Sequence, residues 1–187
     1  MLHLLNLEEI EGLLLKVPAL VRRFDERDPE FVLAVKTWLA DAEDTLAKNR
    51  LSQTSEIAVC RGALISVERG FTDAAARQSR VGARTMKEAR ASQLLKRATD
   101  VIAETVRPRR GQLDEAERLM MQVVAVAEQL GLIPRDTGGN HTAYLQSVLL
   151  ALSARAELVP LVVHVTGLLG KADTLVMLDR SIASLKQ

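Results

Sequence analysis

The stretch "RDPEFVLAVKTWLADAEDTLAKNR", Arg27 to Arg50, decides the class of fold. Asp28, Pro29 and Glu30 read as a helix start. The carboxylate can cap, the proline ring presets φ for the first helical position, and the next acid sits where the helix dipole favours it. Phe31, Val35, Trp38, Leu39, Ala42 and Leu46 then line one face, while Lys36, Asp41, Glu43, Asp44 and Lys48 take the opposite one. That period is 3.6, not 2, so the segment is an amphipathic helix.

The pattern extends in both directions. Asn6 reads as the cap of a first helix, with Glu8 and Glu9 in its first turn and Leu13, Leu14, Val17, Leu20, Val21 and Phe24 on its inner face. Pro18 is expected to bend that helix or end its first half. A third helix is predicted over about Ser52 to Arg69, with Ile57, Cys60, Leu64 and Val67 inward and Gly70 as its stop. A basic helix follows, beginning near Thr72-Asp73 and ending before Pro108, because "RPRRG" (Arg107 to Gly111) is the strongest breaker in the middle of the chain. "QLDEAERLMMQVVAVAEQLG" gives another helix, closed by Gly131. After the loop "IPRDTGGN" come three apolar helices, over about Thr142 to Arg155, Leu158 to Leu169 and Ala172 to Leu185. The strand-like "LVVHV" (Leu161 to Val165) has no second strand to pair with.

Composition agrees. Of 187 residues 48% are apolar but only 3% aromatic, so the core must be built from Leu, Val, Ile, Met and Ala, and Leu and Ala favour helices. No repeat period is present. The expected fold is all-α: one helical domain over residues 1–187, a bundle of six to seven helices with a long basic helix in mid-chain and residues 71–93 as a projecting basic arm. One cysteine, Cys60, excludes an internal disulfide. No signal peptide and no apolar run of about 18 residues is found, so a cytoplasmic protein without a membrane span is the expectation.

A net charge of +1 conceals segregation. Residues 1–60 carry 7 basic and 11 acidic side chains, residues 61–110 carry 12 and 5, and residues 111–187 carry 6 and 8. Within "RQSRVGARTMKEARASQLLKR" (Arg77 to Arg97), seven residues are Arg or Lys against a single Glu. On a helix Arg77, Arg80, Arg84 and Lys87 fall within an arc of about 80°. The apolar stripe Leu94, Leu95, Ala98, Val101, Ile102 and Val106 points in nearly the same direction. Buried cations need partners. The basic half therefore projects towards an external anion, docks on an acidic face of its own chain such as that of Glu43 and Asp44, or is broken off at Gly82.

Like charges crowd this stretch where a solvated face would alternate Glu and Lys, and arginine, which binds phosphate bidentately, outnumbers lysine. The stretch has no aromatic residue, so base stacking has no support there. Chemistry is sparse elsewhere. His3, His141 and His164 are far apart, and His164, in an apolar run, reads as a hydrogen-bonded core residue. "TGGNHT" (Thr137 to Thr142) reads as a loop with a helix cap, since it lacks the lysine and strand of a phosphate loop. Cys60 reads as a buried, inert thiol.

The sequence therefore points to a non-catalytic helical accessory or assembly subunit, with no metal or cofactor, that contacts RNA or DNA phosphates. The candidate cations are Arg77, Arg80, Arg84, Lys87, Arg90 and Arg97 on the basic helix, with Arg107, Arg109 and Arg110 in the loop after it. The alternative is a protein–protein adaptor or oligomeric scaffold. Its basic stripe would meet an acidic partner, and its apolar C-terminal helices would form the subunit interface.

Overall fold

The computed structural model describes residues 3–69, 80–134 and 138–185, and for Arg80, Val81 and Ala83 it describes the backbone alone. Among these residues the fold is all-α, a bundle of seven helices with no strand: α1 (Leu4–Asp25), α2 (Phe31–Lys48), α3 (Thr54–Glu68), α4 (Arg80–Gln129), α5 (His141–Ser153), α6 (Val159–Leu169) and α7 (Lys171–Leu185). The helices gather into two compact units, one of Leu4–Pro108 and one of Arg109–Gln187 with His3.

In the first unit α2 buries all six residues of its predicted inner face: Phe31, Val35, Trp38, Leu39, Ala42 and Leu46. Its start is offset from the expected one. Asp28 Oδ1 accepts from the Glu30 amide at 2.9 Å, but Pro29 and Glu30 form a turn and the helix opens at Phe31. Helix α1 begins at Leu4, so Asn6 lies inside it rather than capping it, and Pro18 is accommodated without ending it. The Trp38 indole donates to the Leu13 carbonyl at 2.9 Å, tying α2 to α1 within the core. Lys16–Asp41 and Lys48–Glu9 join α1 to α2, and Arg61–Glu43 and Lys36–Glu68 join α2 to α3.

The predicted break at Pro108 does not occur. Helix α4 runs through it, and the reason is a seam of buried positions at spacings of three and four: Ala91, Leu94, Leu95, Ala98, Ile102, Val106, Arg109, Leu113, Ala116, Met120, Val123, Val124 and Ala127. Pro108 lies on the exposed side of this seam, where the carbonyl it leaves without a helical donor can reach water. Gly82 does not break the helix either.

In the second unit α5, α6 and α7 pack through Leu145, Val148, Leu152, Val162, Val165, Leu169, Met177, Leu178 and Ile182. The strand-like "LVVHV" is helical, within α6. Asn140 caps α5 by accepting from the Ala143 amide at 3.2 Å, as expected of that loop, whose Thr137 lies outside the described residues, and Gly170, at φ 80°, turns the chain between α6 and α7. No single described helix is long and apolar enough to cross a membrane, and α6 and α7, which would suffice together, are bent by 119°.

Candidate nucleic-acid interface

Helix α4 presents its cations in three environments. Arg77 lies outside the described residues, and the side chain of Arg80 likewise. Arg84 is held by its own chain: Nε donates to Glu88 Oε1 at 2.6 Å and Nη2 to the Arg27 carbonyl at 2.9 Å. Lys87 Nζ donates to the Glu68 carbonyl at 3.4 Å. The beginning of α4 thus docks on the ends of α1 and α3. It does so through backbone carbonyls and an intrahelical glutamate rather than on Glu43, whose carboxylate is taken by Arg61 at 2.6 Å.

Arg109, expected in the loop after the basic helix, instead occupies the buried seam of α4 at 7% exposure. Its guanidinium donates to the Leu168 carbonyl at 2.7 Å and to Gln112 at 3.0 Å, and pairs with Asp173 at 3.2 Å. A cation at the C-terminal carbonyls of α6 meets the negative end of that helix. Removing one partner of such a pair strands the other charge. Its role is structural.

The exposed cations divide by face. At 100° per residue, Arg90 and Arg97 lie on one flank of the buried seam and Thr85, Ala89, Lys96 and Arg107 on the other, while the half-buried Lys87 falls in line with the seam itself. On the first flank Arg90 and Arg97 are seven residues apart, about 10 Å along the helix. Both are exposed, and both act electrostatically on Cys60 of α3. Arg90 also reaches Gln93 at 3.2 Å. Arg69, exposed at the C-terminus of α3, follows the very residue whose carbonyl receives Lys87. The first flank therefore carries the exposed pair Arg90 and Arg97, with Glu56 acting on the same Cys60, while Lys87 and the exposed Arg69 mark where the end of α3 meets α4. On the other flank Lys96 pairs with Asp100 at 2.8 Å, which raises its pKa, first through that hydrogen bond and then through the charge of the same carboxylate. Arg107 is exposed, and Arg110, in the second unit, pairs with Asp114 at 2.9 Å.

Two residues at this interface escape a reading of the sequence alone. Arg69 is exposed at the end of α3, next to the Glu68 whose carbonyl receives Lys87 of α4. Phe24 joins because the end of α1 lies beside the start of α4. It lines a cleft of about 770 Å³ with Asp25, Arg27, Arg84 and Thr85, so the basic stretch that lacks an aromatic of its own has one next to it.

The other singled-out residues are quiet. Cys60 is buried as expected, and desolvation pushes its thiol pKa up, with the charges of Arg97, Glu56 and Arg90 as smaller influences. His164 is not a core residue: its ring is exposed and meets Glu115 at 3.0 Å. His141 meets Asp179 at 2.9 Å and stacks on Tyr144. Among the described residues no group of three or more His, Cys, Asp or Glu is placed to hold a metal ion. Comparison with protein-family models, curated proteins and solved structures finds no match for this chain.

Proposed function

We propose that this protein is a non-catalytic helical accessory subunit that holds nucleic-acid phosphates on the flank of α4 facing α3. The observation that carries the reading is the pair of exposed arginines, Arg90 and Arg97, on one flank of α4, both acting electrostatically on Cys60 of α3, with Lys87 one turn before them on the end of α3. A rigid helix presents these cations at fixed intervals, and arginine forks suit phosphate oxygens. Such contacts position a strand without reading its sequence, and they release counterions, so affinity falls steeply with salt.

The test is anisotropy titration of labelled RNA and DNA at about 50 and about 200 mM salt. The wild type is expected to bind and to weaken sharply between the two. Arg90→Ala with Arg97→Ala should weaken binding at low salt and reduce the salt slope by about 2, one per phosphate contact. Absence of binding at the lower salt would sink the reading.

A second reading, an oligomeric scaffold, is favoured by a separate observation. In the second unit Leu150 of α5 is 73% exposed and Val163 of α6 is 63% exposed, large apolar side chains on helices that offer few charges of their own.

A further inference from the structure

We infer that the cleft between the end of α1 and the start of α4 receives an unstacked nucleobase, so that the strand held by the basic flank is single. This rests on the proposed phosphate contact and specifies the kind of nucleic acid that makes it.

Phe24 carries the inference. It is the last large apolar residue of α1 and is 38% exposed. One side of its ring is steadied by Phe31, with centroids 5.2 Å apart, and the ring also lines the cleft. Across the cleft stands Arg84, whose guanidinium is tied at one end to Glu88 and at the other to the Arg27 carbonyl. Aromatic rings and guanidinium planes are the two surfaces on which proteins stack splayed-out bases. Here both are fixed before a ligand arrives, which lowers the ordering cost of binding.

The charge of the cleft fits a base rather than a phosphate. Arg27 and Arg84 are balanced by Asp25 and Glu88, so the rim is electrically neutral, unlike the basic flank. Asp25 supplies carboxylate oxygens that can accept from an exocyclic amine, as on adenine, cytosine or guanine. The cleft and the Arg90–Arg97 flank lie on opposite sides of the α4 seam, so a strand touching both crosses the solvent face of the helix. A single strand can bend over that face, whereas a duplex keeps its bases stacked and paired inside.

The experiment compares one labelled oligonucleotide, as RNA and as DNA, single-stranded and as a blunt duplex, for the wild type, Phe24→Leu, and the Arg90→Ala/Arg97→Ala double variant. Phe24→Leu keeps the apolar contact with Phe31 and removes the ring, and circular dichroism checks that its helices are intact. The expected result is tighter binding of the single strand than of the duplex. Phe24→Leu should weaken the single strand by about ten- to a hundredfold, the loss of one stacked base, while leaving the duplex affinity and the salt slope unchanged. If the duplex binds at least as well as the single strand, or if Phe24→Leu binds the single strand like the wild type, the base cleft is overturned while the phosphate flank stands. If neither form of either nucleic acid binds at low salt, both readings are overturned together.

Discussion

Arg27 and Arg50 stand at the left-handed position after a helix that glycine usually fills. Each follows a helix in the left-handed region, at φ 53° and 54°. Each closes its helix with a pair of backward hydrogen bonds, from Asp28 to the Arg23 carbonyl and Arg27 to Phe24 in one, and from Leu51 to Leu46 and Arg50 to Ala47 in the other. This is the helix-ending motif that favours glycine, because a Cβ there crowds the following carbonyl. Arg50→Gly is therefore expected to stabilise the protein by about 0.5–1 kcal/mol, after allowing for the extra freedom glycine gives the unfolded chain. A urea melt would read this as a raised midpoint at unchanged slope, and a lowered midpoint would contradict it. The two arginines also mark the limit of reading at this scale. Their types are visible in the sequence, but a positive φ on arginine is imposed by the helices on either side. His164 shows the same limit in reverse. An apolar run implied a core position, yet α6 buries only Val162, Val165 and Leu169 along one stripe, and the histidine falls outside it.

Among the elements, α4 is where local signals and packing disagree. Pro108 and Gly111 both argue for a break. The buried seam passes Val106, Arg109 and Leu113 without losing register, and that burial outweighs the local cost. The other elements were legible, since α2, α5, α6 and α7 begin and end within a few residues of where capping and periodicity put them. The joining of two predicted helices into one was not, because only the fold reveals that the positions either side of "RPRRG" face cores. If packing overrides propensity here, restoring propensity should add stability. Gly111 is exposed, and a Cβ there would meet nothing within 4 Å. Gly111→Ala should therefore stabilise the protein by about 0.5–1 kcal/mol, the usual glycine-to-alanine difference within a helix. A thermal or urea melt checks it, and a destabilised variant would mean that the helix needs the extra backbone freedom beside Pro108.

For the whole molecule the question is how the segregated charge and the exposed apolar residues divide their work. Of the twelve cations in residues 61–110, Arg61, Arg84, Lys96, Arg109 and Arg110 meet carboxylates of their own chain. The net excess was legible from the sequence. Which cations face outward was not, since the buried Arg109 looks like its neighbours until the helices are placed. The basic flank belongs to the first unit and the exposed Leu150 and Val163 to the second, so the proposed phosphate contact and a self-contact draw on different residues. If the apolar pair forms a subunit contact, light scattering behind gel filtration will give a mass above that of one 20.5 kDa chain. Leu150→Glu with Val163→Glu should then return the protein to that mass with its helical dichroism intact, because two like charges facing their symmetry mates across a desolvated contact are strongly unfavourable. The same variant should bind long oligonucleotides less tightly while binding short ones as before, because linked sites gain avidity only where one strand reaches both. A wild type that elutes as a single chain at high concentration would assign Leu150 and Val163 to no self-contact and leave the first unit's basic flank to act alone.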